Sequence, residues 1–320
     1  MSCPVCRNPA TFPRLSGGDF LFQVSPRTFH LSACSDCNCL FIDPPPTIHE
    51  IAGFYPAEYW WNASPGALKG LEAIYRRMAL HDHIAFITAA AGMARVGGRP
   101  TRMLDVGCGS GTILGLMKQR GFDVVGVDFS AEASRIAETQ NGVKVLVGSL
   151  KDAGFADASF DVVTLFHVLE HVTNPRDVLS EAHRVLKPSG RLVLQVPNID
   201  SWQFRLFGVK WYGLDIPRHV IDYSRQSICR LLDESDFTPS RIRNFNLRDN
   251  APALASSLSP ALDPLSRTVR QRRAGVHEAP MLAWSRHLLY LGLVILSYPF
   301  AILESTAGCG ATIMVEAEKR

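Results

Sequence analysis

A glycine-rich turn between an apolar run and a helical stretch constrains this chain more than any other feature of its sequence. Gly107, Gly109 and Gly111 stand at alternate positions directly after the strand-like run Met103–Val106. Glycines at such a turn let the backbone pass close to a ligand and present amide groups at the start of a helix. The turn therefore predicts a ligand site at the end of a strand, although phosphate-binding turns and simple tight turns use related sequences.

From residue 102 onward, short β-rich runs alternate with stretches of helical periodicity. The predicted strands are Met103–Val106, Val124–Val127, Val143–Val147, Asp161–Leu165 and Leu192–Val196, with a further strand-like run at Ala311–Val315. The predicted helices lie near 111–121, 130–140, 172–187 and 224–235. This alternation is typical of parallel strands joined by crossover helices, which bind ligands at the carboxyl ends of the strands. It predicts a doubly wound α/β domain.

Acidic and polar residues near the turn narrow the choice of ligand. Asp105, two positions before the first glycine, could hold an ammonium group but would do nothing for a pyrophosphate. Asp128 ends the second predicted strand, where a carboxylate can accept both ribose hydroxyls of an adenosine. Ser149 and Leu150 follow the third strand and could meet an adenine edge. The Gly-x-Gly-x-Gly spacing differs from the Gly-x-Gly-x-x-Gly of dinucleotide enzymes and counts against a nicotinamide oxidoreductase.

Residues 102–196 together resemble a class I S-adenosylmethionine-dependent methyltransferase. The blocks that carry the resemblance are Asp105–Gly111, Asp128, Phe160–Val163, Val168–Val172 and Leu186–Gly190. The resemblance implies a seven-stranded, mostly parallel Rossmann-like sheet with S-adenosylmethionine as the cofactor. The cofactor-binding residues that it implies by position are Asp105, Gly107, Gly109, Asp128, Ser149 and Leu150.

Three titratable residues follow the fourth predicted strand. His167, Glu170 and His171 stand at i, i+3 and i+4, and they would share one face of a helical turn. Methyl transfer is an in-line displacement at a sulfonium carbon, in which a base need only remove a proton from the acceptor. His167 and His171 are therefore candidate bases. Two alternatives remain: Glu170 and His171 could fix the turn, or the three residues could hold a metal, which the lack of a second carboxylate disfavours.

A second constellation, Trp211–His219, lies in an insertion at residues 198–223 that in the resembling family commonly covers the acceptor pocket. Its aromatic, acidic and basic side chains favour recognition of a polar, ring-shaped acceptor such as a sugar. The alternative is a salt-bridged lid without substrate contact. The predicted substrate contacts are Tyr212, Asp215 and Arg218, and the further candidate base is His219.

Five of the eight cysteines lie in the first forty residues, and four of them form two Cys-x-x-Cys pairs with zinc-ribbon spacing. Four thiolates around Zn²⁺ make a closed structural site that contributes folding energy. A zinc ribbon ahead of this fold resembles sugar C-methyltransferases and related pathway enzymes, and also certain ribosomal RNA methyltransferases. The predicted zinc ligands are Cys3, Cys6, Cys34 and Cys37, with Cys39 as an alternative to Cys37.

The overall charge bears on the acceptor. A net charge of +3 is too mild for a nucleic-acid footprint, so DNA is not expected as a partner and RNA is disfavoured. The first thirty residues show no secretory pattern, and we expect a cytoplasmic enzyme. The expected acceptor is a small polar molecule such as a nucleotide-linked or lipid-linked sugar. The alternatives are a ribosomal RNA methyltransferase and a non-catalytic cofactor-binding module.

Composition divides the chain into four predicted segments. They are a zinc-ribbon-like module at 1–45, a helical linker or cap at 46–100, the cofactor-binding domain at 101–250, and a tail at 251–320. The cap rests on helical spacing of Leu68, Leu71, Ile74, Met78 and Ala85. The aromatic groups Phe54-Tyr55 and Tyr59-Trp60-Trp61 would either line the acceptor pocket or pack in the interior. The tail would begin with a mobile linker or lid from Ala251 to Pro280, because that stretch shows no sustained period.

An uncharged apolar run, Leu288–Leu303, follows that linker. A spanning helix needs about 20 apolar residues and would not readily hold Pro299 in its interior, so crossing of a bilayer is disfavoured. We expect a helix buried against the sheet. The alternative is an interfacial segment that gives the enzyme peripheral membrane contact through 286–303, helped by nearby arginines. Those arginines are Arg267, Arg270, Arg272, Arg273 and Arg286.

Overall fold

The chain forms two compact units in a computed structural model. The structure describes residues 1–55, 78–94, 99–276 and 278–320. The first unit combines residues 1–61, 197–227 and 244–313, and the second combines 62–196, 228–243 and 314–320. The predicted helical positions Leu68, Leu71 and Ile74 lie outside the described residues, as do the aromatics Tyr59–Trp61.

The elements are numbered along the chain. The strands are β1 Thr11–Gly18, β2 Thr28–Cys34, β3 Leu40–Ile42, β4 Arg102–Val106, β5 Asp123–Asp128, β6 Val145–Val147, β7 Phe160–Phe166, β8 Leu186–Pro197, β9 Ile221–Asp222, β10 Phe237–Arg243 and β11 Thr312–Lys319. The helices are α1 Ile48–Gly53, α2 His81–Ala94, α3 Thr112–Lys118, α4 Ala131–Asn141, α5 Pro175–Val185, α6 Trp202–Phe207, α7 Arg225–Asp233, α8 Asn250–Leu258, α9 Pro264–Arg273 and α10 Pro280–Thr306.

A seven-stranded sheet with the order β10-β11-β8-β7-β4-β5-β6 forms the framework of the second unit. Neighbouring strands from β6 to β8 are parallel, whereas β10 and β11 pair antiparallel. The predicted doubly wound, mostly parallel sheet is therefore confirmed. The chain moves outward from β4 to β6 and then returns to place β7 on the other side of β4. The carboxyl ends of β4 and β7 thus border the topological switch point, where such sheets bind ligands.

Local sequence signals explain the helices that flank this sheet. Ser130 begins α4 by accepting a hydrogen bond from the amide of Ala133 at 3.1 Å, and Gly142 ends that helix in a left-handed conformation. The apolar faces of α2, α3 and α4 pack on the central strands, because those faces carry the residues that the sheet buries. The shared core includes Phe86, Ile87, Met103, Leu114, Met117, Ala137, Val162, Val193 and Met314.

The first unit contains a smaller antiparallel sheet with the order β1-β2-β3-β9. The first three strands belong to the predicted zinc-ribbon-like module, but β9 comes from much later in the chain and pairs Ile221 with Phe41. The amino-terminal module therefore shares its sheet with the insertion. The predicted domain boundaries at 45 and 250 remain predictions, and the two units found in the structure follow a different, discontinuous division.

The prediction that residues 251–280 lack regular structure is wrong, because this stretch contains most of α8 and all of α9. Asp263 caps α9 by accepting a hydrogen bond from the amide of Ser266 at 2.7 Å, and Pro264 occupies the first turn. Helix α8 buries Ala251 and Ala255 completely. Small residues on a short helix give a weak periodic signal, so packing rather than local pattern decides these helices.

The prediction that the apolar run Leu288–Leu303 is buried against the sheet is also wrong. Helix α10 is long and apolar enough to cross a membrane by length and composition, but only 22% of its most apolar window is buried. One face packs against α8, and the opposite face is exposed. Periodicity could not distinguish these outcomes, because the run is apolar all around the helix.

Candidate functional site

The glycine turn lies at the carboxyl end of β4 and has the backbone geometry that only glycine adopts readily. Gly107, Gly109 and Gly111 have φ angles of 68°, 52° and 68°. A Cβ atom at Gly107 would lie 2.6 Å from a methyl group of Val168. A Cβ at Gly109 would meet no atom of the described residues within 4 Å. The turn is therefore crowded on its inner side and open at its tip, where a ligand can approach the backbone.

Asp128 ends β5 beside this turn, and its carboxylate is only 4% exposed. One oxygen accepts a hydrogen bond from the amide of Gly109 and the other from the amide of Ser130, each at 2.8 Å. Burial raises the pKa of Asp128, and the two amides partly oppose this effect. Since each carboxylate oxygen has two lone pairs, Asp128 can still accept two hydroxyl groups of a ligand.

Asp105 is buried inside the edge of the sheet, where the Thr164 hydroxyl donates a hydrogen bond to it at 2.6 Å. Sequence reasoning missed Thr164, although a polar residue inside the apolar strand β7 was a usable signal. Burial, with help from the carboxylates of Asp105 and Asp128, raises the pKa of the Cys108 thiol well above its ordinary value. Cys108 is therefore an inert part of the turn.

Ser149 and Leu150 follow β6, but the Ser149 side chain is engaged within its own turn. Its hydroxyl donates a hydrogen bond to the carboxylate of Asp152 at 2.5 Å and accepts one from the Asp152 amide at 3.1 Å. Hydrogen bonds that the hydroxyl and the backbone amide of Ser149 donate to the Asp152 carboxylate lower the pKa of Asp152. Leu150 is buried. The exposed polar group offered here is thus Asp152, which sequence reasoning missed.

His167 follows β7 in a left-handed conformation, with φ at 55°. Its backbone amide donates to the Gln195 carbonyl at 2.9 Å. Its ring Nδ1 lies 3.0 Å from Oε1 of the buried Glu170, and Nε2 lies 2.7 Å from Nε2 of Gln195. One tautomer satisfies both contacts, with Nδ1–H donating to Glu170 and Nε2 accepting from Gln195. Both ring nitrogens are therefore engaged, which fits a residue that shapes the strand end and does not fit a base.

Glu170 and His171 belong to a short 3-10 turn, Leu169–His171. The turn is too short to place the two histidines together on one face of a longer helix. Glu170 is fully buried and His171 is partly exposed. His171 therefore remains a candidate base at the carboxyl end of β7, whereas Glu170 orients His167.

Arg218 was predicted to contact substrate, but it lies in the interior of the first unit and is 0% exposed. Its Nε donates to Asp215 at 2.9 Å, and one Nη donates to Asp19 at 2.8 Å. The other Nη donates to Asp19 and to the carbonyl of Phe54, both at 3.2 Å. The guanidinium also lies 4.3 Å from the centre of the Phe22 ring. We therefore correct this prediction: Arg218 is a structural residue.

The other predicted substrate residues share this structural environment. The carboxylate of Asp215 is bonded to Arg218, and the side chain is 10% exposed. The backbone amide of Tyr212 donates to the Ser257 hydroxyl at 2.9 Å, and its ring packs against the cluster of Leu21, Phe22 and Val269. The alternative of a salt-bridged segment thus describes Tyr212, Asp215 and Arg218 better than substrate recognition does.

His219 follows Arg218 and is nearly buried. Its Nδ1 lies 2.9 Å from the carbonyl oxygen of Gly213, a contact that requires a proton on Nδ1. The same nitrogen lies 3.7 Å from a carboxylate oxygen of Asp222. These contacts select the tautomer that carries its lone pair on Nε2. The tautomer is the one that a base acting through Nε2 requires.

The four cysteine side chains of the two amino-terminal Cys-x-x-Cys pairs lie close together. The sulfur atoms of Cys3, Cys6, Cys34 and Cys37 all lie within 4.8 Å of one another. The Cys3–Cys37 and Cys6–Cys34 separations are 3.6 and 3.4 Å. Zn–S bonds of about 2.3 Å in a tetrahedron place sulfur atoms about 3.8 Å apart. The predicted four-thiolate set thus has the composition and approximate spacing of a zinc site, and Cys39 lies alongside it with its sulfur 3.3 Å from that of Cys3.

Comparison with known proteins shows the family. A family model described as a methyltransferase domain matches residues 73–241, just over half of the chain. The ubiquinone biosynthesis O-methyltransferase of Pseudomonas aeruginosa is 30% identical over 189 residues, which cover 55% of this chain and 75% of the relative. The enzyme of the same name from Paraburkholderia phymatum is 31% identical over 188 residues, with the same two coverages. The chain belongs to the S-adenosylmethionine-dependent methyltransferases.

A solved methyltransferase structure supports the fold. The geranyl diphosphate C-methyltransferase from Streptomyces coelicolor A3(2) covers 81% of this chain and 88% of its own, with a TM-score of 0.50 and 18% identity. That identity is informative about the fold alone. The class I methyltransferase architecture expected from the sequence is thus confirmed by sheet order, family model and structural likeness together.

The residues at the carboxyl ends of β4 and β5 fit S-adenosylmethionine. The open tip of the turn at Gly109 admits the ligand, and Asp128 can accept two ribose hydroxyls. Asp105 lies just before the turn, where its negative charge would suit the cofactor's ammonium group. The individual cofactor contacts of Asp105, Gly107, Gly109, Asp128, Ser149 and Leu150 remain predictions.

Replacing Asp128 by alanine is expected to weaken cofactor binding by roughly 10²–10⁴-fold, because two charge-assisted hydrogen bonds contribute about 1.5–3 kcal/mol each. The measurement is titration calorimetry with S-adenosylmethionine. The matched control is Asp123→Ala at the opposite end of β5, where the side chain is 65% exposed. An unchanged dissociation constant in Asp128→Ala would contradict the assignment.

Proposed function

We propose that this methyltransferase acts on a small polar acceptor, with a nucleotide-linked or lipid-linked sugar as the first candidate. The observation that supports methyl transfer is the position of Asp128 at the end of β5, beside the glycine turn. The modest net charge of +3 supports a small acceptor over RNA. The sugar candidate rests on the resemblance of a cysteine-rich amino-terminal module ahead of this fold to sugar methyltransferases, because Asp215 and Arg218 are engaged in structural contacts.

A quinone-type ring hydroxyl is the second candidate acceptor. Two relatives at 30–31% identity are named ubiquinone biosynthesis O-methyltransferases. Both candidates present a hydroxyl group, so the same transfer chemistry serves either of them. They differ in the surroundings of that hydroxyl, which is polar in a sugar and aromatic in a quinone precursor.

The proposed reaction is a direct displacement. Bound S-adenosylmethionine supplies a methyl group on a positively charged sulfur, and S-adenosylhomocysteine leaves. The acceptor atom, an oxygen in the case of a hydroxyl group, forms its bond to the methyl carbon as the carbon–sulfur bond breaks, and the acceptor's proton passes to a base. His171 and His219 are the candidates for that base, while His167 keeps the strand end in place. The turn at Gly107–Gly111 would hold the bound cofactor, and positioning of the reactants supplies much of the rate.

Replacing His219 by glutamine is expected to lower turnover about 10²–10⁴-fold if this residue is the base, with cofactor affinity unchanged. The measurement is methyl transfer from labelled cofactor under saturating conditions, beside calorimetry with S-adenosylhomocysteine. The matched control is His81→Gln, since the His81 side chain is 73% exposed. Thermal unfolding should match the wild type, which separates lost catalysis from the loss of the contact with Gly213. His171→Gln is tested in parallel, and less than threefold loss in both variants would leave positioning as the source of catalysis.

The acceptor class is tested with labelled S-adenosylmethionine and four separate pools. These are nucleotide sugars, lipid-linked sugars, hydroxylated quinone precursors and ribosomal RNA. Label in either sugar pool supports the first candidate, and label in the quinone precursors supports the second. Label in RNA alone overturns the small-acceptor proposal. Cofactor binding without transfer to any pool would indicate a non-catalytic module.

We also propose that Cys3, Cys6, Cys34 and Cys37 hold one structural Zn²⁺. A tetrahedral four-thiolate site is closed to substrate, so the metal would stabilise the ribbon and take no part in methyl transfer. The ribbon strands β1–β3 share their sheet with β9, which lies three residues after Arg218. Zinc would therefore also support the segment that carries Arg218 and His219.

A further inference from the structure

Among the residues that the structure describes, helix α10 contacts the rest of the first unit through one face. Val294 and Ala301 on this face pack against Ala251 and Ala255 of α8. Polar groups on the same face are paired inside the unit: the Tyr298 hydroxyl donates to the Leu247 carbonyl at 2.9 Å, and buried Glu304 accepts from Gln203 at 2.8 Å. These contacts hold the helix along its length.

The opposite face presents a continuous apolar stripe. At 3.6 residues per turn, its members fall within about half of the helix circumference. Leu288 and Leu296 are 64% and 77% exposed. The exposed large side chains of the stripe are Met281, Leu282, Trp284, Leu288, Leu289, Leu291, Ile295, Leu296, Ile302 and Leu303.

This arrangement inverts the usual pattern of a surface helix, which turns its apolar face inward. The charged residues of α10 instead belong to the attached face. Arg286 pairs with Glu278 at 2.8 Å, and Glu304 bonds to Gln203. Ser285 donates to the carbonyl of Leu282 in its own helix. A contiguous exposed patch of this kind marks an interaction surface.

The stripe offers aliphatic surface and almost no hydrogen-bonding groups. Protein interfaces usually supply about one hydrogen bond per 100–200 Å² of contact, whereas acyl chains require none. Trp284 near the start of the stripe suits the boundary between headgroups and acyl chains. Arg272 and Arg273, which are exposed at the end of α9 shortly before the stripe, are complementary in charge to anionic lipid.

The attachment of α10 decides between lying on a bilayer and crossing it. Crossing would require the polar contacts of Tyr298 and Glu304 to break, since both lie on the face held by α8 and its neighbours. A helix held along one side can immerse only its other side. We propose that the stripe on α10 docks the enzyme onto the interface of an anionic lipid bilayer, with the helix lying flat. This inference is independent of which acceptor is methylated.

The test is co-sedimentation of the full chain with vesicles of phosphatidylethanolamine and phosphatidylglycerol, compared with vesicles of phosphatidylcholine alone. Wild type should bind the anionic vesicles more tightly. The pair Leu288→Glu and Leu296→Glu should lower its partition coefficient roughly 100-fold, because two leucine side chains lose their burial in lipid. The matched control is Met93→Glu on α2, where the methionine is 69% exposed. Circular dichroism should show the same helix content in all three proteins.

Two further measurements complete the test. Arg272→Ala with Arg273→Ala should weaken binding to the anionic vesicles and leave binding to phosphatidylcholine unchanged. Quenching of tryptophan fluorescence by brominated acyl chains should fall in Trp284→Phe. The proposal is overturned if the wild-type protein does not bind anionic vesicles. It is also overturned if the variant with Leu288→Glu and Leu296→Glu binds them as tightly as the wild type does. A third contradicting result is a wild-type protein that sediments as a dimer while the variant with Leu288→Glu and Leu296→Glu sediments as a monomer. A second copy of the chain would then cover the stripe.

Discussion

Replacing Cys34 by alanine is expected to release zinc from the purified chain and to unfold the amino-terminal ribbon. Apparent binding free energies of structural zinc reach about 10–16 kcal/mol in small zinc-binding modules, so the metal outweighs the small core of a three-stranded ribbon. Elemental analysis should find one zinc per wild-type chain and almost none in the variant. Loss of the ribbon should appear as a lower midpoint of urea unfolding.

Two cysteine variants make this prediction specific. Cys309→Ala is the matched control, since Cys309 lies outside the cluster, and it should keep one zinc per chain. Cys39→Ala tests the choice between neighbouring thiols, because the sulfur of Cys39 is 3.6 Å from that of Cys37. Retention of zinc in Cys39→Ala assigns Cys37 as the ligand. A wild-type chain purified without chelators that contains no zinc would refute the metal site.

Arg218→Met is expected to lower the free energy of unfolding by about 3–5 kcal/mol, because it leaves the buried carboxylates of Asp19 and Asp215 without their partner. The measurement is urea unfolding. Arg205→Met is the matched control, since Arg205 is exposed on α6. A change within about 0.5 kcal/mol is expected for the control.

A triple variant separates lost packing from uncompensated charge. Arg218→Met combined with Asp19→Asn and Asp215→Asn removes both unpaired charges and should recover much of the stability lost in Arg218→Met alone. If Arg218 instead bound substrate, the single variant would keep wild-type stability and lose only turnover. Such a result would reverse the structural role given to Arg218.

The same ion pairs predict the direction of a pH effect. Burial would raise the pKa of Asp19, but hydrogen bonds and charge attraction from Arg218 outweigh burial and hold it below its ordinary value. A lowered pKa in the folded state means that the stability contribution is present above the unfolded pKa and is lost as pH falls. Arg218→Met should therefore flatten the acid side of the stability profile.

Local sequence carried enough information for the methyltransferase sheet because its signals are short-range and repeated. Each predicted strand from Met103 to Val196 corresponds to an observed strand, and Asp128 stands at the end of β5 as its position implied. The edge strand β10 was missed because Pro239 and two arginines obscure its pattern, and an edge position is where a strand tolerates proline. Helix α8 was missed because its small residues become informative only once α10 packs on them.

The sequence by itself determined the ligand turn, the alternation of strands and helices, and the zinc-ribbon spacing, since each depends on residue types at fixed short separations. Tertiary structure alone decided the roles of residues whose partners are distant in the chain. The local sequence predicts a substrate contact at Arg218, and only the fold places Asp19, 199 residues earlier in the chain, beside it. The local sequence predicts a base at His167, and only the fold places the Gln195 amide against its second ring nitrogen. The apolar run looked buried, and only packing on α8 showed which half of α10 the protein covers and which half it exposes.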